Sequence, residues 1–339
     1  MVVQARAICL QSRPIGAPKA EHFSERLLPL SEPGPDEVLV RNRWLSLDPY
    51  MRLYLTELPG AHPTLPLGEP LTGGAVGIVE VSNAEALPPG SWVMSPMHGW
   101  RDRYVAPAKS LRQIDPDMGP LQHHLGLFGL TGITAAAGIW DVLAPEPRQT
   151  LFVSGAAGAV GCVAVQLARQ AGARVLASAG SEAKGRWLVD ELGADAFVNY
   201  RSENVGAAIT AFAPNGLDLY FDNVGGAQLE AALDHMAVGG KAALCGAIAQ
   251  YDDANYRAGP RNLFSIIERG VILHGFNAGL YTSRAPEFVE RLAASLADGS
   301  LVWRETVREG FDALVPAFCE MLSGGNVGKM LVRLPETED

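Results

Sequence analysis

The sequence predicts an α/β protein, with a doubly wound parallel sheet in the middle of the chain and a β-rich domain beside it. Three observations predict it. Residues 125–299 alternate apolar strands with Ala-rich helical stretches, the signature of a helix-covered parallel sheet. Residues 1–120 carry short apolar runs cut by Pro and Gly. One strand of the middle region leads directly into a glycine turn and a helix. A length of 339 residues favours two domains.

The elements follow in order. Glu37-Val38-Leu39-Val40 and Gly77-Ile78-Val79-Glu80-Val81, separated by breakers at 31–36 and 88–90, read as strands of the β-rich unit. From Leu125 onward, 150–154 and 174–179 read as strands, and 160–171 and 184–192 as helices. The same texture recurs at 217–223, 229–236, 241–246 and 271–276, which is enough for both halves of a doubly wound sheet. After a helix at 286–296, residues 310–322 and a last strand at 329–334 return to the β-rich unit. The expected division is therefore 1–124 with 300–339 for the β-rich domain and 125–299 for the nucleotide domain.

The chain is 48% hydrophobic and 19% charged, as globular proteins are, and its formal net charge of -10 argues against a general nucleic-acid footprint. It shows no secretory apolar run near Met1 and no stretch of the ~18 apolar residues a membrane span needs, so a cytoplasmic protein is expected. Cys9, Cys162, Cys245 and Cys319 are too scattered for a CxxC pair or an obvious disulfide framework.

The strand Thr150-Leu151-Phe152-Val153-Ser154 precedes Gly155-Ala156-Ala157-Gly158-Ala159-Val160-Gly161 and then a helix rich in Ala, Val and Leu. This is the setting of a dinucleotide fingerprint. Gly158 lets the backbone approach a pyrophosphate, Gly161 lets helix and strand pack closely, and the helix N-terminus offers N–H groups and a positive dipole end. Ala156 stands where the first glycine of GxGxxG belongs. The second strand ends in Ala179-Gly180-Ser181 rather than in the acidic residue that binds ribose hydroxyls, and Lys184 follows one turn into the next helix. That predicts NADP rather than NAD, with Glu182 as an awkward neighbour.

No metal site is expected. The stretch Leu67-Gly68-Glu69-Pro70-Leu71-Thr72-Gly73-Gly74-Ala75-Val76-Gly77 has no histidine, and no cysteine lies between Cys9 and Cys162. His62, His98, His123 and His124 read as surface or core histidines. Without a Lewis acid, conjugate reduction asks less of the protein than carbonyl reduction. Hydride goes to the β-carbon of an enone, and a hydrogen-bond donor stabilises the enolate oxygen. Tyr50, in Leu47-Asp48-Pro49-Tyr50-Met51-Arg52, and Tyr251, in Gly246-Ala247-Ile248-Ala249-Gln250-Tyr251, are the candidate donors.

These motifs together resemble the zinc-free medium-chain dehydrogenase/reductase group that holds leukotriene B4 12-hydroxydehydrogenase / 15-oxo-prostaglandin 13-reductase, plant alkenal double-bond reductases and curcumin reductase-like proteins. Six ordered markers carry the resemblance over nearly the whole chain: Leu45-Ser46-Leu47-Asp48-Pro49-Tyr50-Met51-Arg52, Ala156-Ala157-Gly158-Ala159-Val160-Gly161, Gly180-Ser181-Glu182-Ala183-Lys184, Phe221-Asp222-Asn223-Val224-Gly225-Gly226, Cys245-Gly246-Ala247-Ile248-Ala249-Gln250-Tyr251 and Gly325-Asn326-Val327-Gly328-Lys329. The resemblance implies a Rossmann domain, a GroES-like catalytic domain from both chain ends, a homodimer, and NADPH-dependent reduction of α,β-unsaturated ketones or aldehydes. It further implies Gly158, Ala159, Val160 and Gly161 at the pyrophosphate and Lys184 and Tyr200 at the adenosine 2′-phosphate. Asn223, Cys245, Gly246, Ala247, Ile248, Tyr251, Phe276, Asn277 and Asn326 would complete the cofactor site, with Tyr251 as enolate stabiliser or proton donor and Tyr50 lining the substrate cleft.

The chain departs from the group at Thr131-Gly132-Ile133-Thr134-Ala135-Ala136, where Pro-Gly-Leu-Thr-Ala-Tyr is common, so a tyrosine is missing at Ala136. Two other readings compete: a quinone reductase of the same superfamily, and an NADP-binding protein without turnover.

Overall fold

The computed structural model describes residues 3–57, 64–252 and 259–336. The chain forms two compact units, Met1–Gly126 with Glu305–Asp339, and Leu127–Arg304. The first break lies beyond residue 124 because the 3₁₀ turn Leu121–Leu125 belongs to the first unit, where Leu125 packs with Val76, Ile114 and Leu331. The second lies beyond residue 299 because Val302 is tied into the second unit: its N–H donates to Gln166 Oε1 at 2.7 Å and its carbonyl accepts from Gln166 Nε2 at 2.9 Å.

The first unit begins with strands β1 (Gln4–Leu10), β2 (Phe23–Pro29), β3 (Glu37–Ser46), β4 (Ala75–Ser82), β5 (Trp92–Ser95), β6 (Arg103–Pro107) and β7 (Arg112–Gln113). β1 and β2 pair antiparallel as a two-stranded sheet. The others form the larger sheet around the long strand β3, whose alternate residues Val38 and Val40 are fully buried.

The second unit opens with helix α1 (Leu130–Ala136), which runs on into a π-helical stretch, Ala137–Leu143, ended by Ala144 in the left-handed region. A Cβ on Gly138 would sit 2.3 Å from the Phe221 ring, so glycine is what lets this helix lie against the sheet. Then follow β8 (Thr150–Val153), α2 (Gly161–Gln170), β9 (Arg174–Ala179), α3 (Glu182–Asp190), β10 (Ala196–Asn199), α4 (Val205–Phe212), β11 (Leu217–Asp222), α5 (Gly226–Asp234), β12 (Met236–Leu244), α6 (Phe264–Arg269), β13 (Ile272–Gly275) and α7 (Ala285–Ala297).

The six strands of this unit are all parallel, in the order β10-β9-β8-β11-β12-β13. Strand order reverses between β8 and β11. In such sheets ligands bind outside the carboxyl ends of the strands at that point. β8 is buried along its whole length, which is why it reads as a continuous apolar run. β12 begins at Met236, well before the residue 241 expected from the sequence. Its Gly239-Gly240 pair, with Gly239 at φ +76°, reads as a turn but sits at a register shift within the strand.

The chain then returns to the first unit as β14 (Glu305–Glu309), α8 (Leu314–Leu322) and β15 (Lys329–Arg333). β15 pairs antiparallel with β3 and parallel with β14. On α8, Phe318 meets Trp100 edge-on at 5.3 Å and Phe23 at 6.4 Å. The C-terminal segment thus supplies part of the core that the N-terminal strands leave open.

Candidate active site

The turn after β8 is built on backbone geometry. Gly155, at φ +57°, takes the left-handed residue of the turn, whereas Ala156 has ordinary backbone angles, which is why alanine is tolerated at that point of the fingerprint. The turn is pinned to β9: Gly155 N–H donates to Ser178 Oγ at 3.1 Å and Ala156 N–H to Ser178 O at 2.9 Å. A Cβ on Gly161 would lie 2.6 Å from Ala156 Cα and Gly155 O, so this glycine is demanded by packing. A Cβ on Gly158 would meet only Gly155 O, at 3.3 Å, which leaves close approach of a ligand as the reason for glycine there. Ala159, Val160 and Gly161 lead into α2, whose positive dipole end lies at the turn; within its first turn Cys162 N–H donates to Gly158 O and Ala164 N–H to Val160 O, each at 3.0 Å.

A second cluster gathers where β9 and β10 end. Ser181 caps α3, its Oγ accepting from Lys184 N–H at 3.4 Å, and this places Lys184 in the first turn. Tyr200 follows β10, its N–H donating to Ala179 O at 3.1 Å, and the Arg201 guanidinium lies 6.0 Å from its ring centre. Gly180 forms the floor: a Cβ there would come within 2.9 Å of Tyr200 Oη and 3.2 Å of Arg201 Nε. Burial and then the neighbouring Arg201 pull the Lys184 ammonium below the usual lysine range. Two cations and a phenol around a glycine floor suit an anion with several acceptor oxygens, such as a ribose 2′-phosphate. Arg201 went unassigned in the sequence; its signal was its place next to Tyr200.

The carboxyl ends of β11 and β12 hold the third part. Asp222, buried, accepts through Oδ1 from Tyr220 Oη at 2.7 Å and from Ser154 Oγ, Val224 N and Gly225 N, each at 2.9 Å. Four donors on one oxygen fix the turn from residue 222 to 225. Asn223 is held at both ends of its amide: Nδ2 donates to Ser154 O at 2.7 Å, and Oδ1 accepts from the Cys245 thiol at 3.2 Å. Burial, and then the Asp222 carboxylate, push that thiol well above its ordinary range. Gly246 N–H donates to Asp222 O at 3.1 Å and Ile248 N–H to Asn223 O at 3.4 Å, so the loop after β12 is laid along the loop after β11. At its end Tyr251 turns back, and its hydroxyl accepts from Ala247 N–H at 3.3 Å. Burial raises the phenol's pKa, and the Ala247 N–H opposes the shift. A phenol that accepts one bond and stays protonated has its own proton to give.

Other residues assigned from the sequence have different surroundings. Phe276 is buried, edge-on to Phe221 at 6.2 Å, so its ring serves the core. Asn277 accepts from Gly279 N–H at 2.9 Å as the cap of a short turn. Ala136 is fully buried, so the missing tyrosine changes the packing of α1. Tyr50 and Asn326 belong to the first unit. Tyr50 lies in the 3₁₀ turn Pro49–Leu55, edge-on to Tyr54 at 5.7 Å, its hydroxyl raised by burial and by Asp48. Asn326 Nδ2 donates to Gly328 O at 2.7 Å.

Among the described residues no group of three or more His, Cys, Asp or Glu is placed to hold a metal ion. His98 bonds Ser95 Oγ at 2.7 Å and stacks on Tyr104, and burial lowers it to about 4; burial also lowers His124 to about 4. His62 lies outside the described residues.

Comparison with known proteins agrees with this architecture. Residues 6–114 match the family model described as the N-terminal domain of oxidoreductase, and residues 159–294 the one described as zinc-binding dehydrogenase. The chain is 35% identical to the NADP(+)-dependent 2-alkenal reductase of Nicotiana tabacum over 88% of each chain. It is 30% identical to the NADPH-dependent curcumin reductase of Escherichia coli over 96% of this chain and 95% of that one. The crystal structure of CurA from Vibrio vulnificus in complex with NADPH superposes with a TM-score of 0.93 at 32% identity, covering 98% of this chain and 100% of that one. With the fingerprint turn and the full-length relatives together, the chain belongs to the zinc-free reductases of the medium-chain dehydrogenase/reductase family.

Proposed function

We propose that this NADP-dependent oxidoreductase reduces the carbon–carbon double bond of α,β-unsaturated aldehydes and ketones. The observation that carries the reading is the loop after β12, where a protonated, half-buried tyrosine hydroxyl ends the segment that also fixes Asn223. The names of the tobacco and bacterial relatives support the same chemistry.

NADPH, when bound, supplies the hydride that goes to the β-carbon of the substrate. Ala159 to Gly161 would offer backbone amides and the α2 N-terminus to its pyrophosphate, Gly158 would leave room for its approach, and Lys184, Tyr200 and Arg201 would pair with its 2′-phosphate. Asn223 and the 245–248 loop hold the nicotinamide end. Tyr251 donates a hydrogen bond to the carbonyl oxygen as enolate charge develops there, and the α-carbon then takes a proton from water, leaving the saturated carbonyl. Tyr50, in the first unit, lines the substrate cleft. No step needs a Lewis acid. We also propose a cytoplasmic homodimer.

Assays with NADPH and a panel of trans-2-alkenals, aryl enones and quinones test the reading. Enal and enone turnover with saturated carbonyl products is expected. Turnover of quinones alone would replace it with a quinone reductase, and NADPH binding without oxidation of any panel member would replace it with a binding protein.

A further inference from the structure

Two segments that carry the family likeness, 45–52 and 325–329, meet inside the first unit through a buried ion pair. Lys329 Nζ donates to Asp48 Oδ1 at 2.7 Å and to Leu47 O at 2.6 Å, and the lysine side chain is 1% exposed. Ser46 Oγ donates to the other carboxylate oxygen of Asp48, and Leu47 N–H donates to Met330 O at 3.3 Å. Directly after Asp48, Pro49 starts the 3₁₀ turn that carries Tyr50, and Met51 N–H closes that turn on Asp48 O at 3.1 Å. Just before Lys329, the Asn326 amide closes on Gly328 O.

A buried pair of this kind is a poor source of net stability, because desolvation cancels much of its attraction; what it fixes is geometry. Here it stands between the turn that carries Tyr50 and the loop that carries Asn326. We propose that Asp48 and Lys329 are positioning residues, a clasp that holds the Tyr50 turn and the Asn326 loop as one rigid piece. The clasp sets how tightly an enone is held by the Tyr50 turn. This rests on the function proposed above.

The test compares wild type with Asp48→Asn/Lys329→Met, which removes both charges together and so leaves neither one buried alone. The paired variant is expected to fold, melting within about 5 °C of wild type, since neutral replacements of buried pairs are often tolerated. Hydrogen exchange over 47–53 and 326–330 should speed up by about tenfold or more, as local opening no longer breaks the clasp. KM for trans-2-hexenal and 4-phenyl-3-buten-2-one should rise about tenfold, with a smaller change in kcat. Its effect on kcat/KM should be non-additive with Tyr50→Phe, because the clasp acts through that residue. Wild-type KM and exchange, or strict additivity with Tyr50→Phe, would overturn the proposal. Should the variant not fold, wild-type exchange decides alone: the two segments must open with a common protection factor, and unequal protection removes the clasp. A wild type inactive on every enone and enal would retire the proposed reaction, while the exchange measurement would still judge the clasp.

Discussion

Tyr251 carries the sharpest consequences at the scale of single residues. If its hydroxyl stabilises the enolate, Tyr251→Phe lowers kcat by about 10²-fold, as loss of an oxyanion donor does, with NADPH affinity near wild type. Stopped-flow turnover beside a fluorescence titration checks both halves, and an unchanged kcat removes the assignment. The direction of the pKa shift adds a second consequence. Burial raises the phenol above its ordinary range, so it is protonated, and able to donate, around neutral pH. The kcat profile should therefore show no tyrosine-dependent fall between about pH 6 and about pH 9. A descending limb in that range that disappears in Tyr251→Phe would contradict this. At the other end of the cofactor site, Arg201→Ala should weaken NADPH about tenfold or more while leaving NADH little changed, since a charge-assisted bond to the 2′-phosphate is lost only for NADPH. Equal weakening of both cofactors would show that Arg201 acts on the fold of the β10 end rather than on the phosphate.

Among the elements, the β8 turn and α2 depend on one close approach. Gly161→Ala places a methyl group 2.6 Å from backbone atoms of the preceding turn, atoms already anchored to β9. The expected cost is about 1–3 kcal/mol of stability, the usual range for overpacking, together with weakened NADPH binding as α2 shifts from the turn. Urea unfolding and cofactor titration measure the two effects; a variant as stable as wild type would show that the turn yields freely. Gly158→Ala separates the roles, because the space around Gly158 admits a methyl group with a small adjustment of Gly155 O. It should retain stability and lose cofactor affinity.

At the scale of the molecule, β13 is the terminal strand of the six-stranded sheet, and the apolar side chains around it are turned outward. Phe264 is 66% exposed, Ile267 76% and Ile272 53%. An open strand edge beside large exposed apolar groups is a surface that natural proteins cover. The proposed homodimer covers it with a second copy. Light scattering should give twice the chain mass, and Ile267→Glu/Ile272→Glu should shift the protein to monomer. A wild-type monomer at micromolar concentration would dismiss the dimer. Among the described residues no helix is long and apolar enough to cross a membrane.

How much was legible from residues alone follows from what is local. The alternation of apolar strands and Ala-rich helices, the glycine turn after 150–154, the missing acidic residue at 180 and the absence of Cys and His from 67–77 are local facts, and local physics reads them. They determined the fold class, the dinucleotide turn, the expectation of NADP and the proposed reaction type. Other features are pairings across the chain. Short β10 becomes a strand only because β9, at the right register, supplies its hydrogen bonds. Asp222 looks like an ordinary carboxylate until Ser154 and Tyr220 are brought to it, and the residues around Phe276 give no sign that its ring packs edge-on against Phe221. The Lys329–Asp48 pair joins positions 281 residues apart, and a lysine near the end of a sequence gives no sign that it will be sealed from water against a carboxylate near the beginning. Sequence by itself determined what the chain binds and which chemistry its residues suit, because those depend on residue type and short spacing. Which side chains are held rigid, which are spent on the core and which pairs fix the site was decided by the tertiary structure alone, because burial and long-range pairing exist only once the chain has folded.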